Sequence, residues 1–159
     1  MSKTKKKPYD ERDDLEKIAS QWRKLSALNK RKDFSAAIVR CATAAEIAAN
    51  LAIRSEFTSQ STFDAKIVDS FLIWTNGLRN KMDRLLLPIR FKNRKHPEFK
   101  KLKALSESLY EQRNDIVHSG RFSSKNEATK AIEDAKLFIE ALIGIYHPGY
   151  KVPEKNYRK

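Results

Sequence analysis

The sequence predicts an all-α protein, an antiparallel bundle of four to five helices, and three observations carry that prediction. Glycine and proline are scarce, 4 and 5 among 159 residues. Apolar residues recur every three or four positions along most of the chain, the period of a helix with one buried face. The stretches between the periodic segments are short, which folds consecutive helices back on one another. At this length one domain with its own core is expected, over residues 10–147. It is flanked by a flexible basic N-terminal tail, 1–9, and a flexible basic C-terminal tail, 148–159, where two prolines and a glycine stop regular structure.

The first helix is expected to start near Asp10 and to bury Leu15, Ile18, Trp22 and Leu25. The second, from Phe34 to Phe57, carries the stripe Phe34, Ile38, Cys41, Ala45, Ala48, Ala52 and is otherwise crowded with alanine. Small side chains let neighbouring helices approach closely, so this helix should be central. The third is read as one helix from Phe63 to Leu87, with Ile67, Phe71, Trp74, Leu78, Met82 and Leu85 inward and Pro88 as its stop. Gly77 inside it costs about 1 kcal/mol relative to alanine, so a close contact or a bend is expected there. The fourth uses Phe99, Leu102, Leu105, Leu109 and Ile116 and ends at "HSG", residues 118–120. The fifth opens with Ser124 and Glu127 in capping-box spacing and continues through Ala128, Ile132, Ala135, Ile139, Leu142 and Tyr146.

Lys and Arg outnumber Asp and Glu by 33 to 20, a formal net charge of +13. A polyanionic partner suits that balance, because basic side chains gain affinity for phosphates by counterion release whatever the base sequence. The single cysteine, Cys41, excludes an intramolecular disulfide and a Cys-rich zinc site, and falls in an apolar stripe. No glycine-rich phosphate loop and no Ser, His, Asp elbow is present. His96 and His147 each adjoin a proline at a helix boundary without a carboxylate or thiolate at ligand spacing, so neither a metal nor a cofactor is expected. The start "MSKTKKKPYDERDD" has no apolar run behind it, and no stretch approaches about 18 uninterrupted apolar residues. A cytoplasmic protein without a membrane span is the expectation.

The stretch that invites chemistry is "YEQRNDIVHSGRF", residues 110–122. On a helix Asn114 and His118 share a face, whereas Arg113 and His118 stand about 140° apart. Arg113 joins the pair only if its long side chain curls round or the helix loosens near Gly120, which suits a left-handed terminator. A plain alternative also stands: His118 as a cationic cap at a helix C-terminus, Arg113 as a solvated charge, Asn114 as filler. On the second helix Thr43, Glu46 and Asn50 form a polar stripe, and a buried Glu46 would need a partner in Arg113 or a basic residue of another helix. The run "RFKNRKHPEFKKLK", residues 90–103, is a candidate RNA contact through Arg90, Lys92, Arg94, Lys95, Lys100 and Lys101, with Phe99 expected in the core.

"RNDIVH" resembles the Arg, polar residue, three further residues, His signature of the HEPN superfamily, late in a helix of a four- or five-helix bundle. Its place at the end of the penultimate long helix is similar too, and "AAIVRCATAAEIAANLAI", with Glu46 among small residues, resembles the central helix of such domains. The likeness covers about residues 10–147. It implies a metal-independent endoribonuclease, often a toxin or phage-defence effector, with Arg113 and His118 at the two motif positions and Asn114 at the polar one. Cleavage without a metal activates the ribose 2'-hydroxyl against the adjacent phosphate and leaves a 2',3'-cyclic phosphate. An imidazole of ordinary pKa, about 6.5, can exchange that proton at neutral pH, and a guanidinium fork stabilises charge on the phosphorane. One histidine per chain suggests a homodimer that shares two copies of His118 across a basic cleft, with Val117 in the seam. An antitoxin or defence partner is a further implied possibility. In some members a partner enzyme modifies a tyrosine two positions after the histidine; here Gly120 stands there, which argues against that regulation. Two alternatives stay open: a catalytically silent HEPN module that binds RNA or a nucleotide or serves as a regulatory subunit, and a dimeric interaction protein docking another helical partner.

Overall fold

The computed structural model describes residues 7–154. All regular structure among them is helical: α1 (Asp14–Lys30), α2 (Phe34–Gln60), α3 (Ala65–Trp74), α4 (Leu78–Lys81), α5 (Leu87–Arg90), α6 (Pro97–Ser119) and α7 (Lys125–Tyr146). Between α4 and α5 the chain stays helical through a π-helical stretch, Met82–Leu86. The expected tail at 1–6 lies outside the described residues. A short 3-10 turn, Tyr9–Glu11, precedes α1, which therefore starts four residues later than Asp10. That entry is fixed locally: Asp13 and Glu16 form a reciprocal capping box, and Gln21 donates to the Tyr9 hydroxyl at 2.8 Å.

Helix α2 is the hub. Its alanines Ala37, Ala44, Ala45, Ala48, Ala49 and Ala52 are fully buried, and α1, α6 and α7 pack around them. It is the one helix among the described residues long and apolar enough to cross a membrane, with mean hydropathy 1.5. Here that apolar surface is the middle of the core. Cys41 is fully buried, and burial pushes its thiol up to about 12.

Cross-helix bonds set the directions. Asp14 pairs with Arg54 and Arg40 with Gln21, so α1 runs against α2. The Ser123 amide bonds Ser35 at 2.9 Å and the Tyr146 hydroxyl bonds Glu56 at 2.6 Å, so α7 runs with α2. Lys81 meets Glu46 and Arg90 meets Glu56, so the α4 to α5 segment also runs with α2. Successive long helices thus alternate in direction, while the central contact of α2 with α7 is parallel.

The third predicted helix is two pieces. Asp64 caps α3 at Lys66, and α3 stops at Trp74; Gly77 then takes φ +81° before α4 begins. The expected inward stripe is corrected as well. Val68 and Leu72 face the core, whereas Ile67 is exposed and Trp74 is 77% exposed, because α3 packs mainly against α2 and its other side is left uncovered. Phe71 instead joins Phe57 and Phe63 in an aromatic cluster with centroid spacings of 5.7 to 6.2 Å. Nor does Pro88 end the helix. The wider π turn before it relieves the clash its ring would make with a regular preceding turn, and the chain coils on to Arg90.

Helix α7 begins where the capping box predicts it, at Ser124 and Glu127. Beyond His147 the chain has no regular structure through Glu154, yet it is not a free tail. Val152 is buried against the core, Tyr150 packs on it, and the Val152 amide bonds Glu140 at 3.2 Å. Residues 155–159 of that expected tail lie outside the described ones.

Candidate functional site

Helix α6 stays regular through Ser119 and ends at Gly120, φ +64°, whose amide bonds the Ile116 carbonyl at 3.1 Å. Glycine adopts that left-handed conformation without a Cβ clash, so the chain turns sharply just past His118. A cleft of about 300 Å³ opens at this end. Arg113, Asn114 and His118 line one side of it, Thr43 and Glu46 of α2 another, and Asn76, Gly77 and Asn80 of the α3 to α4 break a third. The four sequence candidates Arg113, Asn114, His118 and Glu46 therefore meet in one place. Asn114 and His118 do so by sharing a face. Arg113, on another face, reaches in with its long side chain and donates to Asn114 Oδ1 at 3.3 Å.

The partner of Glu46 is Lys81, at 2.6 Å, and not Arg113. Lys81 is buried while Glu46 is one-third exposed toward the cleft, so this pair offers a carboxylate edge whose charge is neutralised from behind. Arg113 stays without a carboxylate partner among the described residues, a cation left for an incoming anion. Thr43 gives its hydroxyl proton to the Val39 carbonyl at 3.0 Å. The amide oxygen of Asn50, one turn further along the stripe, is buried without a hydrogen-bond partner among the described residues.

The basic run does not join this site. At about 1.5 Å per residue, Lys100 and His118 lie about 27 Å apart along α6. Lys92, Arg94, Lys95, Lys100 and Lys101 stand exposed at the far end. Arg90 is spent on the buried Glu56 at 3.2 Å, together with the Tyr146 hydroxyl and the Gln60 amide. Burial and that carboxylate push the Tyr146 phenol well above its ordinary value. Phe99 packs at the core's edge, against Phe91. His96 caps α6 by accepting from the Glu98 amide at 3.2 Å, and His147 sits at the C-terminal cap of α7. Among the described residues no three His, Cys, Asp or Glu side chains cluster.

Four cleft residues escaped the sequence reading: Asn76, Asn80, Tyr110 and, behind Glu46, Lys81. A signal existed for two of them. Tyr110 stands one turn before Asn114 on the stripe that His118 completes. Lys81 interrupts an apolar helical face, where a lone cation needs a buried partner. Nothing local marks Asn76 and Asn80, exposed residues that the break between α3 and α4 brings to the edge of the cleft through tertiary packing. Compared with protein-family models, curated proteins and solved structures, the chain matches none.

Proposed function

We propose that this chain is a metal-independent endoribonuclease of the HEPN type, with Arg113, Asn114 and His118 as its reacting centre. The observation that carries the reading is their convergence, with the neutralised Glu46, in an open cleft on a chain of net charge +13. His118 takes the proton of a ribose 2'-hydroxyl, and the 2'-oxygen attacks the adjacent phosphorus. The bond from phosphorus to the 5'-oxygen breaks, leaving a 2',3'-cyclic phosphate. Arg113 holds the non-bridging oxygens as charge collects on them. Asn114, held to Arg113, keeps that guanidinium oriented and presents its amide nitrogen to phosphate or imidazole.

In-line displacement needs an acid for the leaving 5'-oxygen as well as a base. A second copy of the chain supplies it if two clefts face each other. Half-exposed Val117 and the 93% exposed Phe122 flank His118, and both are apolar surface suited to that seam. The reading includes a cytoplasmic toxin or defence role held in check by a partner.

The test is cleavage of end-labelled mixed-sequence RNA in excess EDTA by the native chain, His118→Ala and Arg113→Ala. Discrete products ending in 2',3'-cyclic phosphate, lost in both variants, are expected. Intact RNA with the native protein, or full activity in His118→Ala, overturns the nuclease reading. Cleavage by a protein that sedimentation shows to be monomeric removes the shared-cleft part alone.

A further inference from the structure

The wall of the cleft away from His118 has a chemistry that phosphate transfer does not need. Tyr110 lies two turns before His118 on α6, about 12 Å along the axis, and lines the same cleft. The Arg79 guanidinium stands over its ring, 5.8 Å from the centroid. Arg79 is half-exposed and only loosely held by Asp83, at 3.8 Å. Beside them are two carboxamides from the α3 to α4 break. Asn80 donates its amide proton to the Asn76 carbonyl at 3.1 Å, which fixes the side chain and leaves its Oδ1 as an acceptor. Asn76 has no side-chain partner among the described residues, and Asn114 keeps a free amide donor because its oxygen is taken by Arg113. Gly77, between them, has nothing within 4 Å of where a Cβ would sit, so the cleft is open there.

An aromatic ring with a guanidinium beside it, next to amide donors and acceptors of which Asn80 is held in place, is how proteins hold an unstacked nucleobase and read its edge. Phosphate alone would call for further cations here. The cleft's volume sits at the lower end of the roughly 300 to 1,000 Å³ of small-molecule sites, room for one nucleotide and not for a duplex. We propose that Tyr110 and Arg79 stack a single nucleobase of RNA while Asn80 and Asn76 read its edge, making the site base-selective. The inference rests on the nuclease reading for the placement of the ribose and phosphate at His118 and Arg113, and its test uses a readout independent of cleavage.

The probes are fluorescent 2'-O-methyl homotetranucleotides of A, C, G and U, which cannot be cut through their blocked 2'-oxygen. Binding to the full chain is followed by fluorescence anisotropy. The native protein should favour one base over the poorest by about tenfold or more. Tyr110→Ala should weaken the favoured probe by about tenfold, the loss of one stacked base, while Tyr110→Phe keeps it. Asn80→Ala should compress the preference without weakening the poorest probe. Arg113→Ala should weaken all the probes together. Equal binding of the native protein to every probe overturns the proposal. So does native-like binding by folded Tyr110→Ala and Asn80→Ala. If RNA is never cleaved but preference exists and collapses in these variants, the subsite stands and the nuclease reading falls. If RNA is cut without regard to sequence and the probes bind alike, the reverse holds.

Discussion

Basic side chains gather around both ends of helix α6, those at its N-terminal end coming partly from α5 and the connection before it, and the two ends use them differently. At the N-terminal end charge is dense, but its best-anchored members serve the fold. Arg90 is committed to Glu56, and Lys103 to Asp83 and Glu107, whose hydrogen bonds hold the Lys103 ammonium above its ordinary pKa. Most of the remaining cations there have open solvent around them; Arg94 lines a hollow of about 320 Å³, but beside it stand apolar Leu87, Phe91 and Phe99 and the paired Asp83 and Lys103. At the C-terminal end the cations are fewer, but Arg113 faces a cleft with no carboxylate bound to it. Charge density marks where a polyanion can touch; a cation without an internal partner inside a concave site marks where it can be worked on.

That contrast can be broken in several ways, beginning with the strongest. His118→Ala at the cleft should lower RNA cleavage by about 10²- to 10⁴-fold, the share of a general acid or base, with an unchanged melting temperature. A fall in stability with retained rate would return His118 to the plain role of helix cap. At the other end Arg90→Met should do the reverse. It leaves the Glu56 carboxylate sealed without its cation, costing about 3 kcal/mol in urea unfolding, while the cleavage rate per folded molecule stays native. Gly120→Ala should cost about 1 kcal/mol because φ +64° strains any side chain, although the space around it is empty. Lys100→Ala combined with Lys101→Ala should change RNA affinity by less than about threefold. It should also leave the slope of affinity against salt nearly unaltered, whereas two phosphate contacts on a single strand would reduce it by about 1.4.

A small pH effect sharpens the same comparison, because Glu127 caps α7 beside the cleft end. The Ser124 amide holds its carboxyl below the ordinary 4.5, with the Ser124 hydroxyl and Arg121 adding to it. A depressed carboxyl stabilises the fold above the unfolded value and loses that contribution as pH falls through the folded one. Acid titration of melting temperature should therefore drop less steeply below about pH 4.5 in Glu127→Gln than in the native chain.

Much of this architecture was legible in local patterns. The capping box at Ser124, the alanine face of α2 and the terminator at Gly120 are each set by side chains within a turn of one another. The same holds for Asn114 and His118, whose common face follows from helical spacing alone. Glu46 was found because a carboxylate among alanines has to go somewhere. What was missed depends on distant parts of the chain. Trp74 looks buried by spacing and is exposed, since burial depends on whether another helix covers α3. Pro88 reads as a stop unless the π turn before it is known. Arg90, which the sequence offers to RNA, is claimed by Glu56, 34 positions away.

The π-helical stretch also acts as a ruler. Lys81 before it and Arg90 after it reach two carboxylates of α2, Glu46 at the cleft and Glu56 at the opposite end. The stretch sets the angular phase between those two cations, and each residue of helix turns the chain by about 100°. Removing or adding one residue between Lys81 and Arg90 would swing one of them away from its carboxylate, whatever the residue's identity. The segment is therefore constrained in length as well as in its buried Met82, Leu86 and Leu87, and a one-residue deletion there should loosen the cleft and the far end at once.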